Sequence, residues 1–305
     1  MASLKNIKLK ILSYKKTGTV THAMEAVSAV KMRKAQERAL GGRAYAAAAL
    51  SVLERISGTI DTSHHPLMSE QTGKTCFVII TSDKGLAGSL NSAVIRRTEH
   101  EITARDLTHE QVIIIAIGRR GADHFASRGY DVRARHENVG DDISESALRE
   151  ITDSLLSWHE MKEIGACVVA YTNFVSTFEQ EAVARQIIPI TPEVVREIVA
   201  DIRPARGRYA PNPDEVVHIP ATYTIEPDAD SILAGLLPRL LNIAIFHAVL
   251  ESKASEHSAR RVAMKSATDK AKDMVKGYTR VFNKARQATI TREVSEITSG
   301  MEAMK

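Results

Sequence analysis

Ser82-Asp83-Lys84-Gly85-Leu86-Ala87-Gly88-Ser89-Leu90-Asn91 is the stretch of this 305-residue chain whose residue types come nearest to chemistry. Two glycines after an apolar run and ahead of a helical stretch can let backbone N–H groups wrap a phosphate. The spacing matches neither G-x-G-x-x-G nor G-x-x-x-x-G-K-[ST], and no lysine follows the second glycine. A structural strand-to-helix turn is therefore the expectation. Cys76 and Cys167 each fall inside an apolar, β-branched run, which suits small core residues better than a redox pair. His64 and His65 have no cysteine or carboxylate at ligand spacing and read as a surface loop. No nucleophile, base and orienting acid converge on a motif. The residues thus predict no catalytic group, no cofactor site and no metal site.

The elements that carry these residues alternate in type. Cys76 to Ser82, Val112 to Ile117, Asp131 to Arg135 and Ala166 to Tyr171 are short apolar or β-branched runs. Helical stretches around 89–105, 119–128 and 143–163 separate them, an order that implies βαβ units and a mostly parallel sheet. Phe174 to Pro189 reads as an added edge strand, because Val175, Thr177 and Glu179 alternate with Phe174, Ser176 and Phe178. Four prolines in 203–220 mark a loop or extended return path.

Both ends of the chain are helical in character. Residues 239–299 contain no proline and one glycine, Gly277, so the helix expected over 228–305 would reach on the order of 110 Å. A helix of that length cannot be covered by its own chain and needs a companion or an external sheath. The first 57 residues, rich in Ala, Lys, Arg, Met and Leu, supply a companion. Leu4, Ile7, Ile11 and Tyr14 step by 3, 4 and 3, while Ile290, Val294, Ile297 and Met301 step by 4, 3 and 4, both seam spacings of a coiled coil. Val275, Tyr278, Phe282 and Ala285 form another such stripe. The expected fold class is α/β, with a long antiparallel two-helix coiled coil formed by the N- and C-terminal helices and an inserted Rossmann-like α/β domain. Its parts are 1–57 (coiled-coil helix), 74–190 (α/β domain), 191–227 (connecting loop) and 228–305 (coiled-coil helix).

Charge follows the same division. Residues 1–45 carry ten Lys or Arg against two Glu, and residues 251–305 carry twelve against seven acids, so the ends hold +13. The whole chain is +4, which leaves −9 between them. A basic rod on an acidic body calls for an anionic or acidic partner. Nucleic acid fits poorly: aromatics are 5% of residues, and no helix-turn-helix, zinc or RNA-recognition signature is present.

Three blocks together carry a family resemblance. They are Thr21-His-Ala-Met24-Glu-Ala-Val-Ser-Ala-Val-Lys31-Met-Arg33-Lys34-Ala-Gln36, the Ser82–Asn91 loop, and Ala254-Ser-Glu-His-Ser-Ala-Arg-Arg-Val-Ala-Met-Lys265 followed by Asn283-Lys-Ala-Arg-Gln-Ala-Thr-Ile-Thr291. In order and spacing over the full length, the chain resembles the gamma subunit of F-type ATP synthases. The resemblance implies a non-catalytic central rotor shaft inside a ring of alpha and beta subunits, with its α/β domain near the epsilon subunit and the c-ring. It further implies beta-subunit contacts at Met24, Lys31, Arg33 and Lys34, and at Arg286, Gln287 and Thr291. Departures from the family's usual residues are the Lys16–His22 stretch with Gly18, Ala87, Arg261 and Arg292.

No hydrophobic run is expected to approach the roughly 20 residues that span a bilayer, and Met-Ala-Ser-Leu-Lys-Asn shows no signal peptide. A peripheral place on the cytoplasmic face of a bacterial inner membrane follows from the resemblance. Two other classes compete: a nucleotide-binding α/β enzyme with helical extensions, and a basic coiled-coil adaptor for nucleic acid. Co-purifying subunits, bound nucleotide or bound nucleic acid would separate the three.

Overall fold

The computed structural model describes residues 4–41, 65–69, 71–140, 144–191, 194 and 229–304. The order of elements is α1 (Leu4–Gly41), β1 (Lys74–Ile80), α2 (Leu90–Ala104), β2 (Val112–Ile117), α3 (Arg119–Ser127), β3 (Asp131–His136), α4 (Glu145–Glu160), β4 (Ile164–Phe174), β5 (Gln180–Ile188) and α5 (Ala229–Glu302). Residues 42–57 of the expected first helix, His64, and the 203–220 loop lie outside the described residues. The chain divides into two compact units, one of residues 1–29 with 260–305 and the other of residues 30–259.

The larger unit is built on a five-stranded sheet of order β3-β2-β1-β4-β5. β1 pairs in parallel with β2 and β4, β2 in parallel with β3, and β5 runs antiparallel to β4. The central strands β1 and β2 are buried on both faces, which is why their sequences read as unbroken apolar runs rather than alternations. On one face Val78, Ile80, Ile113 and Ile115 pack with Leu148, Ile151 and Leu155 of α4 and with Leu233, Leu237, Leu241 and Ile245 of α5. On the other, Phe77, Ile79, Ile114 and Ala116 pack with Val94 and Ile102 of α2 and Phe125 of α3. The result is a helix–sheet–helix sandwich. At the free edge, Arg133 of β3 meets Asp131 at 2.9 Å and Glu163 at 2.6 Å and lies over the Trp158 ring, so the edge strand is blunted by charge.

Some boundaries differ from the expectation. Residues 175–179 are a turn closed by Ser176 and Glu179, so the antiparallel partner of β4 begins only at Gln180. The alternation over Phe174–Glu179 is that of a hairpin tip, with Val175 and Phe178 exposed. His65 is part-buried and caps a single 3₁₀ turn, its Nδ1 accepting from the backbone N–H of Leu67 at 3.2 Å. The expectation about hydrophobic runs is also overturned. α5 contains an 18-residue window of mean hydropathy 1.8, long and apolar enough by composition to cross a membrane. Half of that window is buried inside the chain. The stretch escapes notice in sequence because Pro238, Arg239 and Asn242 interrupt it, and its leucines face the sheet.

The smaller unit is a two-helix coil. Thr21 lies against Thr268, Gly18 against Ala271 and Tyr14 against Tyr278, so numbers rise on one helix as they fall on the other and the pair is antiparallel. Ile7, Thr21, Met264, Thr268 and Ala271 are buried, and Leu4, Ile11, Tyr14, Gly18, Val275, Tyr278, Phe282, Ala285 and Thr289 are half-buried. Taken together, these positions step by threes and fours along each helix, the signature of a continuous heptad seam.

Ile290, Val294, Ile297 and Met301 do not belong to that seam, contrary to the reading from spacing. They sit one position out of step with Ala285 and Thr289, about 100° round the helix. All four are 51 to 65% exposed.

Candidate functional site

The turn after β1 closes on itself. Ser82 donates its backbone N–H to Asn91 Oδ1 at 2.9 Å and its hydroxyl to the Lys84 carbonyl at 2.6 Å, while Asn91 Nδ2 donates to Ser82 Oγ at 2.8 Å. Asp83 Oδ1 accepts the backbone N–H of Arg119, which ties the turn to the start of α3. Leu86 and Gly88 take positive φ, 64° and 59°, and let the chain reverse into α2. The neighbouring β2–α3 turn is tighter: at Gly118, φ 97°, a Cβ would stand 2.0 Å from the Thr81 carbonyl oxygen. Groups that would hold phosphate in a nucleotide fold are here engaged in shaping two turns.

The two cysteines are brought together without becoming reactive. Cys76 and Cys167 are register partners on β1 and β4, both fully buried and unoxidised. Burial, with the adjacent Cys76 thiol, pushes the Cys167 thiol well above its ordinary value, so the nucleophilic thiolate is suppressed. Two buried sulfurs in one layer therefore act as core volume.

The residues expected to touch partners are polar positions on the two long helices. Lys31, Arg33 and Lys34 are exposed on α1, whereas Met32 and Ala35 between and beside them are buried. Arg33 pairs with Glu37 at 3.0 Å, but the two side chains remain 80% and 61% exposed, so the pair holds the guanidinium only loosely. Met24 is half-buried beside the seam residue Thr21. On α5, Arg286, Gln287 and Thr291 are all exposed, and the Thr291 hydroxyl donates back to the Gln287 carbonyl at 2.9 Å. In the antiparallel register Met24 is level with the Met264 turn and Arg286 with the first turns of α1, about 21 residues or roughly 32 Å along the coil. They are separate surfaces.

Reading by periodicity missed the polar part of the seam. Gly18, Thr21 and Ser28 continue the sevenfold spacing set by Leu4, Ile7, Ile11 and Tyr14, but a search for apolar residues stops at Tyr14. The seam hydroxyls are satisfied locally, Ser28 by the Met24 carbonyl at 2.7 Å, Thr21 by the Gly18 carbonyl at 3.2 Å and Thr268, facing it from α5, by the Met264 carbonyl at 2.8 Å. Lys10 lies over the Tyr278 ring, adding a cation–π contact at the Tyr14–Tyr278 stack. A shallow groove of about 710 Å³ beside Gly18 is lined by Lys15, His22, Thr268, Lys272 and Lys276 and carries the basic character into the coil.

Comparison with known proteins agrees with this architecture. A family model described as ATP synthase matches residues 3–304. The "ATP synthase gamma chain" of Heliobacterium modesticaldum is 36% identical over 305 residues, and that of Pelotomaculum thermopropionicum 35% over 306, each pairing covering 100% of both chains. Among solved structures, a chain of the Euglena gracilis mitochondrial ATP synthase aligns over 99% of this chain and 94% of its own, with TM-score 0.63 at 17% identity. A chain of the Tetrahymena thermophila mitochondrial central stalk and c-ring covers 81% of this chain and 99% of its own, with TM-score 0.57 at 18% identity. Matched from end to end in sequence and sharing the fold, the chain belongs to the gamma-chain family of ATP synthases.

Proposed function

We propose that this chain is the central shaft of an F-type ATP synthase, turning inside a ring of alpha and beta subunits and coupling ion flow through a c-ring to ATP synthesis or hydrolysis. One observation carries the reading beyond family membership: every residue of α5 from Ile290 to Glu302 is exposed, including Ile290, Val294, Ile297 and Met301. A helical stretch with an apolar stripe in water is stable only when another body surrounds it. A ring of catalytic subunits is such a body.

Within this reading the chain itself is non-catalytic, because its glycine-bearing turn is filled by Ser82 and Asn91. Met24, Lys31, Arg33 and Lys34 form one contact surface toward the beta subunits, and Arg286, Gln287 and Thr291 another. Exposed cations suit a bearing. Each surface ion pair is worth roughly 0 to 1 kcal/mol, strong enough in sum to distinguish one catalytic subunit from the next and weak enough to break at each step. The α/β unit faces the epsilon subunit and c-ring, and the complex holds the chain peripherally at the cytoplasmic face of a bacterial inner membrane. The apolar window of α5 is core packing in this picture, not a span.

Co-expression with alpha and beta subunits tests the proposal. A complex containing this chain should hydrolyse ATP, and a bead attached to the α/β unit should rotate stepwise as it does so. Hydrolysis without rotation of the bead would leave a tether and remove the shaft.

A further inference from the structure

Residues 251–258 of α5, Glu-Ser-Lys-Ala-Ser-Glu-His-Ser, form the most polar two turns of the helix inside the α/β unit, yet all eight are buried. Apolar helices are held to sheets by surface burial alone. This segment is held by directional bonds to backbone groups. Glu251 Oε2 accepts the Phe174 N–H at 3.0 Å, Ser255 Oγ donates to the Thr172 carbonyl at 3.2 Å, and Ser258 Oγ donates to the Thr177 carbonyl at 2.8 Å. These three residues step by 4 and 3, so they share one face of the helix and read the end of β4 and the hairpin tip. Lys253, two residues on from Glu251 and about 200° round the helix, donates from Nζ to the Val139 carbonyl at 2.8 Å, in the segment after β3.

Bonds on nearly opposite sides of a helix resist rotation about its axis, because turning either way stretches one set. Apolar contacts upstream, at Leu237, Leu241 and Ile245, press the helix onto the sheet without naming specific partner atoms. The acceptors and the Phe174 N–H are main-chain groups, of β4, of the hairpin tip and of the segment that follows β3, and Gln180 Nε2 at the start of β5 adds a long side-chain bond to Ser258 Oγ at 3.5 Å. The grip therefore belongs to the sheet as a body.

We propose that Glu251, Lys253, Ser255 and Ser258 are a torsional clamp that makes α5 turn with the α/β unit, so that torque passes between them without slip. The inference rests on the shaft reading above. The clamp residues touch no catalytic group and act by positioning the helix.

The test uses the complete complex in sealed vesicles, with ATP hydrolysis and ion uptake measured on the same preparation. A Lys253→Met, Ser255→Ala, Ser258→Ala variant should hydrolyse ATP within about twofold of the unaltered complex when no gradient opposes it, and should move about threefold fewer ions per ATP against a large gradient, since loss of directional bonds shows only under load. An unchanged ion-to-ATP ratio under load overturns the clamp, as does a fall in hydrolysis that matches the fall in transport. If the triple variant does not assemble, Glu251→Gln and Glu251→Ala decide: the amide oxygen of Gln still accepts from Phe174 and keeps the ratio, Ala lowers it, and equal ratios overturn the proposal. Absence of ion-coupled turnover in the unaltered complex would instead overturn the shaft reading itself.

Discussion

Thr21 and Thr268 meet hydroxyl to hydroxyl at 2.6 Å in the buried seam between α1 and α5. Each hydroxyl has one proton, and the shorter local bond runs from Thr268 to the Met264 carbonyl at 2.8 Å, against 3.2 Å from Thr21 to the Gly18 carbonyl. Thr268 therefore gives its proton to its own helix and accepts the proton of Thr21. The pair is satisfied on both sides, and it bonds the two helices hydroxyl to hydroxyl across the seam.

Removing half of that link should cost more than removing all of it. Thr268→Val strands little, because Thr21 falls back on Gly18, and the loss should be about 1 kcal/mol. Replacing both threonines by valine of nearly the same shape should be neutral or stabilising, whereas Thr21→Asp, which places a carboxylate in the seam, should cost several kcal/mol. Urea unfolding of these variants beside the unaltered chain gives the order, and a double valine variant less stable than Thr268→Val would contradict it.

Gly18 sits in the helical interior of α1, where glycine is less favourable than alanine by roughly 0.5 to 1 kcal/mol. A Cβ there would meet Ala271 Cβ at 3.5 Å, an ordinary contact. Gly18→Ala should therefore raise the melting temperature, by a few degrees. No change or a fall would mean that the close approach of the helices at this level already lies at its limit.

His159, in the last turn of α4, is fully buried, and neither ring nitrogen meets a hydrogen-bond partner among the described residues. Burial, aided by the nearby His65 and opposed by Glu160, lowers its pKa below the ordinary histidine value. In the unfolded chain the imidazole takes a proton near pH 6.5, while in the folded chain it resists until lower pH. Between those two values the unfolded state binds more protons, so stability present above pH 6.5 is lost as the pH falls. A His159→Leu variant should show a flatter dependence of melting temperature between pH 7.5 and 5.5 than the unaltered chain, and parallel curves would assign the pH dependence elsewhere.

Arg286, Gln287 and Thr291 separate a shaft from a tether. Arg286→Ala with Gln287→Ala removes charge-assisted donors worth about 1.5 to 3 kcal/mol when shielded from water. ATP turnover, or its coupling to ion movement, should then fall roughly tenfold while recovery of assembled complex falls less. Normal coupled turnover in a normally assembled variant would take these residues out of the coupling contact.

What the sequence alone determined follows from short-range rules. The runs Cys76–Ile80 and Val112–Ile117 are apolar without interruption because both faces of a central parallel strand are buried, and no helix face needs that. Leu4, Ile7, Ile11 and Tyr14 announce a seam by spacing, and the length of α5 announces that something else must cover it. Only the tertiary structure could extend that seam through Gly18, Thr21 and Ser28, since small and hydroxyl residues signal burial only when a partner helix is in place to receive them. The same limit applies to Glu251–Ser258, which reads as a solvated stretch in one dimension and is buried because β4 and the Val139 segment present backbone groups to it. It applies in reverse to Ile290, Val294, Ile297 and Met301, whose spacing is that of a seam but which lie past the level of Leu4, where the described part of α1 begins. Periodicity states that a stripe exists; which body lies against it is decided by where the rest of the chain goes.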